Sequence, residues 1–189
     1  GAHFISTLPI RELIHKLEPA PPPEVVASAD QLKYRDFISI AVVINRQSVF
    51  PDNWIYIHDP TVKVGRMQNF KSWSPYMTPD DSTTCLGLEY FCFEGDGLWT
   101  SSDDELVALA KRELAQLGMC TPEEVLWGVV VRQPKAYPVY DDVYKQHLAV
   151  IRKWSETTLS NLALVGRNGM HRYNNQDHSM MTALLAARN

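Results

Sequence analysis

An α+β fold, with a mostly antiparallel sheet and flanking helices, is what this chain predicts. Three observations point to it. Strand-like apolar runs follow one another at residues 36–45, 54–58, 63–70 and 83–93, separated by turns rather than by helices. The strongest helical pattern comes only after them, so regular β-α-β alternation is absent. An apolar strand pattern at each end of the chain lies outside that block and points to a second sheet.

Residues 4–7 read as a short buried strand closed by Pro9, and residues 10–17 as a helix with Ile10, Leu13, Ile14 and Leu17 on one face. Proline at a helix entrance costs nothing, because the first amides have no partner there anyway. Pro19 and residues 21–23 break the chain before a short helix over 24–32. Residues 36–45 carry Phe37, Ile38, Ile40, Val42, Val43 and Ile44, too apolar for a strand washed by solvent, so this strand is central. The alternating runs 54–58 and 63–70 form a hairpin about Asp59 and Pro60. After the strand at 83–93, Ser102 and Glu105 form a capping box for a helix whose apolar side is Leu106, Ala110, Leu114 and Leu117, stopped by Gly118. Thr121 and Glu124 repeat the capping signature for a turn or two. A strand from Trp127 runs out at Tyr137 and Pro138, and a helix over 142–157 follows. A small strand at 162–165, a turn at 166–169 and a final helix opened by Asp177 complete the chain.

At 189 residues, with 45% hydrophobic and 21% charged residues, the chain supports a substantial core. Its net charge is −4 and its basic residues are scattered, which disfavours nucleic acid as a partner. No apolar run approaches the roughly 18 residues of a membrane span. Cys85, Cys92 and Cys120 form neither a CxxC pair nor a set with histidine at ligand spacing, so no metal site and a reducing, cytoplasmic setting are expected. The chain is in an apolar strand pattern by Phe4, from which further sequence upstream is expected. No Ser-His-Asp or Cys-His arrangement emerges from spacing, and no residue is assigned a certain catalytic role.

The chemistry concentrates near the end. A strand ending at Gly166, a turn carrying Arg167, a polar run and a fresh helix N-terminus make an arrangement receptive to negative charge. Arg167 could pair with a diphosphate while the amides over residues 177–180 face a carbonyl or anionic ring edge. The alternative is that Asp177 or Asn175 merely caps the helix and Arg167 is solvated. Against it, the polar run from Asn174 to His178 exceeds what one cap needs, and Met180 and Met181 offer a flat apolar rest beside it.

Gly166-Arg167, Arg172-Tyr173, the run Asn175-Gln176-Asp177-His178-Ser179 and Met181 resemble the C-terminal flavin-binding signature of UDP-galactopyranose mutases, within the wider amine-oxidase-like flavoprotein group. Weaker matches are Trp54 and Tyr56, then Arg66, Asn69-Phe70 and Trp73-Ser74-Pro75, then Ala136-Tyr137-Pro138, and the strand at residues 4–13. The resemblance implies non-covalent FAD and three segments: 1–32 returning to an FAD domain, 33–160 binding substrate, and 161–189 supplying the last strand and helix of an incomplete Rossmann-like FAD domain. It places Gly166 and Arg167 near the pyrophosphate and Asn175, Gln176, Asp177, His178, Ser179 and Met180 near the isoalloxazine. It also assigns Arg66 to the substrate diphosphate, with Tyr137 and Tyr173 at sugar or flavin.

The glycine-rich fingerprint for the adenosine diphosphate end is missing, as is the helical subdomain that recognises uridine in mutases. An N-terminal half is therefore the expected partner, and the isolated fragment is expected to be inactive; a homo-oligomer is compatible with the sequence. Three readings stay open. One is a mutase-like isomerase in which reduced flavin attacks the anomeric carbon of a UDP-sugar. Another is an oxidoreductase of the amine-oxidase or protoporphyrinogen-oxidase kind. A third is a non-catalytic interaction module with Trp54, Trp73 and Trp99 as its patch.

Overall fold

The computed structural model describes residues 1–188. Contacts divide the chain into two compact units, one formed by Gly1–Arg35 with the chain from Lys135 onward, the other by Asp36–Pro134. The element order is β1 (Phe4–Ser6), α1 (Ile10–Lys16), α2 (Pro23–Asp30), β2 (Tyr34–Ile44), β3 (Trp54–Tyr56), β4 (Arg66–Asn69), α3 (Phe70–Trp73), β5 (Thr84–Cys92), α4 (Asp103–Gln116), β6 (Val125–Pro138), α5 (Tyr144–Thr158), β7 (Leu162–Leu164), α6 (Gly166–Gly169) and α7 (Gln176–Arg188).

In the unit Asp36–Pro134 the five-stranded sheet has the order β3-β4-β5-β2-β6, so β2 is interior, as its apolar run predicts. The β2–β5, β4–β5 and β3–β4 pairs are all antiparallel. Register then decides which side chains share a face, because strand side chains alternate. Ile38 pairs with Tyr90, Ile40 with Leu88 and Val42 with Leu86, and Leu88 in turn with Met67. All of these are buried with Leu106, Ala110 and Leu114 of α4, whose capping box is fully formed. Each such side chain taken from water contributes on the order of 1.5–3 kcal/mol. Gly87 is needed on the opposite face, where a Cβ would come within 2.8 Å of the Phe70 ring.

Glu113 of α4 is 4% exposed yet carries a carboxylate. It accepts from the amides of Lys63 (2.7 Å) and Val64 (3.1 Å) and from the Tyr90 hydroxyl (2.9 Å), and so ties the β3–β4 connection to the helix. Burial, reinforced by the Glu113 charge, pushes the Tyr90 phenol far above its ordinary range.

In the other unit, β1 and β7 form a separate two-stranded parallel sheet, pairing Phe4 with Leu162 and Ser6 with Leu164. Its small core joins Ile10 and Ile14 of α1, Val25 and Ala29 of α2, and Leu148 and Ile151 of α5. By packing, α5 goes with the terminal segments, whereas the division by role groups residues 33–160. Gly169 lets α6 close on β1, since a Cβ there would meet the Ser6 carbonyl oxygen at 2.7 Å.

Three expectations need correction. β1 is not buried: Phe4 and Ile5 are each 51% exposed and only Ser6, which pairs with the core-packed Leu164, is covered. Residues 166–169 form a single helical turn, α6, instead of an open turn, with the Met170 amide donating to the Gly166 carbonyl at 3.1 Å. β6 starts at Val125, earlier than the sequence reading, because the capped Pro122–Glu124 turn leads straight into it.

Candidate functional site

The open face of the five-stranded sheet follows from the same alternation that built the core. Residues that pair out of phase with Leu88 and Met67 point the other way: Arg66 lies opposite both Glu89 and Tyr56, Gln68 opposite both Gly87 and Trp54, and Phe37 opposite Phe91. Trp54, Tyr56, Arg66, Gln68, Glu89 and Phe91 therefore gather on one surface. The Arg66 guanidinium carbon sits 5.1 Å from the Trp54 ring centroid, 5.1 Å from Phe91 and 6.0 Å from Tyr56. Its Nε donates to Glu89, and the Gln68 amide donates to the other carboxylate oxygen.

Glu89 is 2% exposed and the Arg66 side chain 14%. A carboxylate this deep in a sheet is tolerated because a cation and an amide neutralise and hydrogen-bond it. Three aromatic faces and one carboxylate hold the arginine in one orientation with its planar fork prepaid in entropy. Such a group is suited to grip a phosphate or carboxylate. Trp54 is 41% exposed and Trp73 55%, whereas Trp99 is half-buried against the core; Trp54 is thus a wall of this box and the three are not one exposed patch.

The second constellation belongs to the other unit. Arg167, Tyr137 and Tyr173 come together there: the guanidinium carbon is 4.7 Å from the Tyr173 centroid and 5.1 Å from Tyr137, and the two rings stack at 5.8 Å with 22° between planes. Arg167 donates from Nε and Nη2 to the Asn174 carbonyl (3.0 and 2.8 Å) and from Nη1 to that of Ala136 (2.9 Å). It is therefore no solvated arginine. It clips the end of β6 to the turn before α7 through three of its five N–H groups. Replacing Arg167 with alanine is expected to cost about 2–4 kcal/mol of stability in urea unfolding, and lysine to recover little of it, since an ammonium cannot span both carbonyls in a fork. Equal stability of the lysine variant and the parent would contradict this role.

The mouth of α7 is organised by its neighbours. The first intrahelical bond runs from the Ser179 amide to the Asn175 carbonyl, so the amides of Gln176 and Asp177 precede it. The Ser179 hydroxyl donates to Asn174 Oδ1 (2.6 Å), and the Gly166 amide donates to the Thr182 hydroxyl (3.0 Å). Gly166 holds φ at +74°, a left-handed value that favours glycine. Asn175, Gln176, Asp177 and His178 are exposed, and Met180 is 61% exposed. Asp177 pairs with its neighbour: its carboxylate is held below the usual range by the His178 amide and then by the His178 ring, 3.0 Å away. Both side chains are 72% exposed.

Sequence reasoning reached Arg66, Arg167, Tyr137 and Tyr173 but missed Glu89 and Gln68. Only a register that sets residue 66 against residue 89 reveals them. Among the described residues no cluster of His, Cys, Asp or Glu is arranged to hold a metal ion, and no helix is long and apolar enough to cross a membrane.

No family model matches the chain, and no curated protein matches it in sequence. Solved structures do match. The crystal structure of reduced UDP-galactopyranose mutase superposes with a TM-score of 0.84 at 21% identity, covering 98% of this chain and 40% of its own. An Exiguobacterium sp. 255-15 protein described as a candidate protoporphyrinogen oxidase gives 0.68 at 15% identity, covering 99% and 41%. A protein from Pyrococcus furiosus gives 0.58 at 12%, covering 99% and 40%. The chain thus spans about two fifths of the length of these structures. It has the mixed α+β fold that this region of a UDP-galactopyranose mutase and of the oxidase-like protein share.

Proposed function

We propose that this chain is the substrate-gripping portion, and one wall of the flavin site, of an FAD-dependent enzyme that acts on a UDP-sugar in the manner of a UDP-galactopyranose mutase. The observation that carries the reading is Arg66, caged by Trp54, Tyr56 and Phe91 and oriented by the buried Glu89. An aromatic-walled, preoriented arginine answers two parts of a nucleotide sugar, the diphosphate and a flat or ring-shaped group beside it. An oxidoreductase acting on a porphyrinogen or amine is the competing reading, supported by the second structural likeness. It has less use for a guanidinium directed to an oxyanion.

The residues at the mouth of α7 fit one edge of a flavin. The positive end of a 13-residue helix, the amide of Gln176 and the apolar Met180 and Met181 meet the needs of a carbonyl-bearing ring edge. They do not provide for the adenosine diphosphate end. The exposed Phe4 and Ile5 of β1 and the half-exposed Leu184 and Leu185 of α7 support a further half of the enzyme packing there. Bound FAD would supply either a nucleophile toward the sugar or a hydride acceptor. This chain would contribute binding and orientation: Arg66 steadies the diphosphate charge, Glu89 keeps Arg66 aimed, and Arg167 holds Tyr137 and Tyr173 stacked.

Trp54 lies beside Arg66, so its fluorescence tests the assignment. UDP is expected to change it saturably, and uridine much less. No response to UDP, or equal responses to UDP and uridine, would remove the support for a diphosphate grip.

A further inference from the structure

In the unit that carries the termini, a cavity of about 490 Å³ opens beside α5 and the turn after α6. Lys145 and Arg152, seven residues apart on one face of α5, line it together with Arg172. None of the three has a carboxylate within ion-pair distance among the described residues, and no carboxylate lines the cavity. Arg152 is fixed by donating from Nη2 to the Met170 carbonyl at 3.0 Å.

The remaining wall is aromatic. Tyr140 and Tyr144 stack at 4.6 Å with 23° between planes. The Tyr140 hydroxyl accepts the Tyr173 amide at 2.6 Å, which leaves its own proton to donate. His171 belongs to the same lining and is 1% exposed, held with φ at +47° between Tyr34 and Tyr144. Its Nε2 faces the Val139 carbonyl at 3.4 Å, and its Nδ1 has no hydrogen-bond partner. Burial lowers its pKa, so the ring is neutral at physiological pH. With Nε2 directed at a carbonyl, Nδ1 is an acceptor that lacks a donor. A buried polar atom in that state costs free energy until something satisfies it.

We propose that this cavity binds a phosphate group, either free or as a monoester, through Lys145, Arg152, Arg172 and the Tyr140 hydroxyl, with His171 Nδ1 accepting from the phosphate's own O–H. The proton is what selects the ligand. A phosphate monoester loses its last proton at about pH 6 and so keeps some of its protonated form near neutrality, and inorganic phosphate keeps at least one proton throughout that range, whereas sulfate has no proton to give. The site stands independently of the reading of Arg66, because it uses none of the same residues.

Calorimetric titration of the 189-residue chain with inorganic phosphate, phenyl phosphate and sodium sulfate at matched ionic strength tests it. Saturable binding of phosphate near about 1 mM is expected, with sulfate about tenfold weaker. The double substitution Lys145→Gln and Arg172→Gln, at two exposed positions, is expected to weaken phosphate by at least about tenfold without moving the unfolding midpoint. Tighter phenyl phosphate would identify a monoester that uses the stacked tyrosines, and tighter inorganic phosphate the free ion. As a readout that needs no variant, the His171 ring proton signals should shift as phosphate saturates. Absence of saturable binding, equal binding of sulfate, or undiminished binding in a folded double variant would each overturn the proposal.

Discussion

Replacing Arg66 with alanine is expected to weaken UDP binding by roughly 100-fold or more, about 3 kcal/mol, and also to lower stability, because the buried Glu89 carboxylate is left with the Gln68 amide and no cation. The loss is large because the guanidinium is already oriented: three rings and Glu89 hold it, so the protein has spent its ordering cost before the ligand arrives. Lysine should recover little, having no planar fork and no stacking. Glu89 separates positioning from contact. Glu89→Gln leaves Arg66 in place but frees its aim, so binding should weaken by about tenfold, and by less in the Arg66→Ala background, where there is no arginine to hold. Calorimetry on the four proteins of that cycle measures it. Additive losses would show that Glu89 acts independently of Arg66.

Glu113→Ala is the substitution with the greatest expected effect on stability, about 3–5 kcal/mol. It strands the amides of Lys63 and Val64 and the Tyr90 hydroxyl in the interior and leaves a void under α4. For a chain of this length, that corresponds to a fall of roughly 10 °C in Tm. Tyr90→Phe should cost only about 1 kcal/mol, because Glu113 keeps both amides. Thermal unfolding of the two variants side by side checks the ranking; similar losses in both would mean that the hydroxyl, and not the amide pair, anchors the carboxylate.

Much of the fold was legible because local signals carried it. Ser102 and Glu105 announced α4 and its cap, the β-branched run announced an interior β2, and the end strands did form their own sheet. What was not legible depends on pairing across distance. Glu89 and Glu113 look like ordinary strand and helix acids, and only register and helix packing turn them into buried partners of Arg66 and of the Lys63–Val64 backbone. Tyr137, Arg167 and Tyr173 could be named singly from sequence, but the clip through the Ala136 and Asn174 carbonyls exists only in three dimensions. The exposure of Phe4 and Ile5 escaped for the opposite reason. An apolar strand predicts burial, and the sequence does not say against what.

The proposal that this fold serves reduced-flavin chemistry on a nucleotide sugar is tested most directly by supplying UDP-galactopyranose to the FAD-loaded full-length protein, with and without dithionite, while recording the flavin spectrum and the product. Formation of the ring-contracted sugar nucleotide only under dithionite is the predicted result. Bleaching of oxidised flavin by an amine or porphyrinogen, with no sugar product in either state, would contradict it.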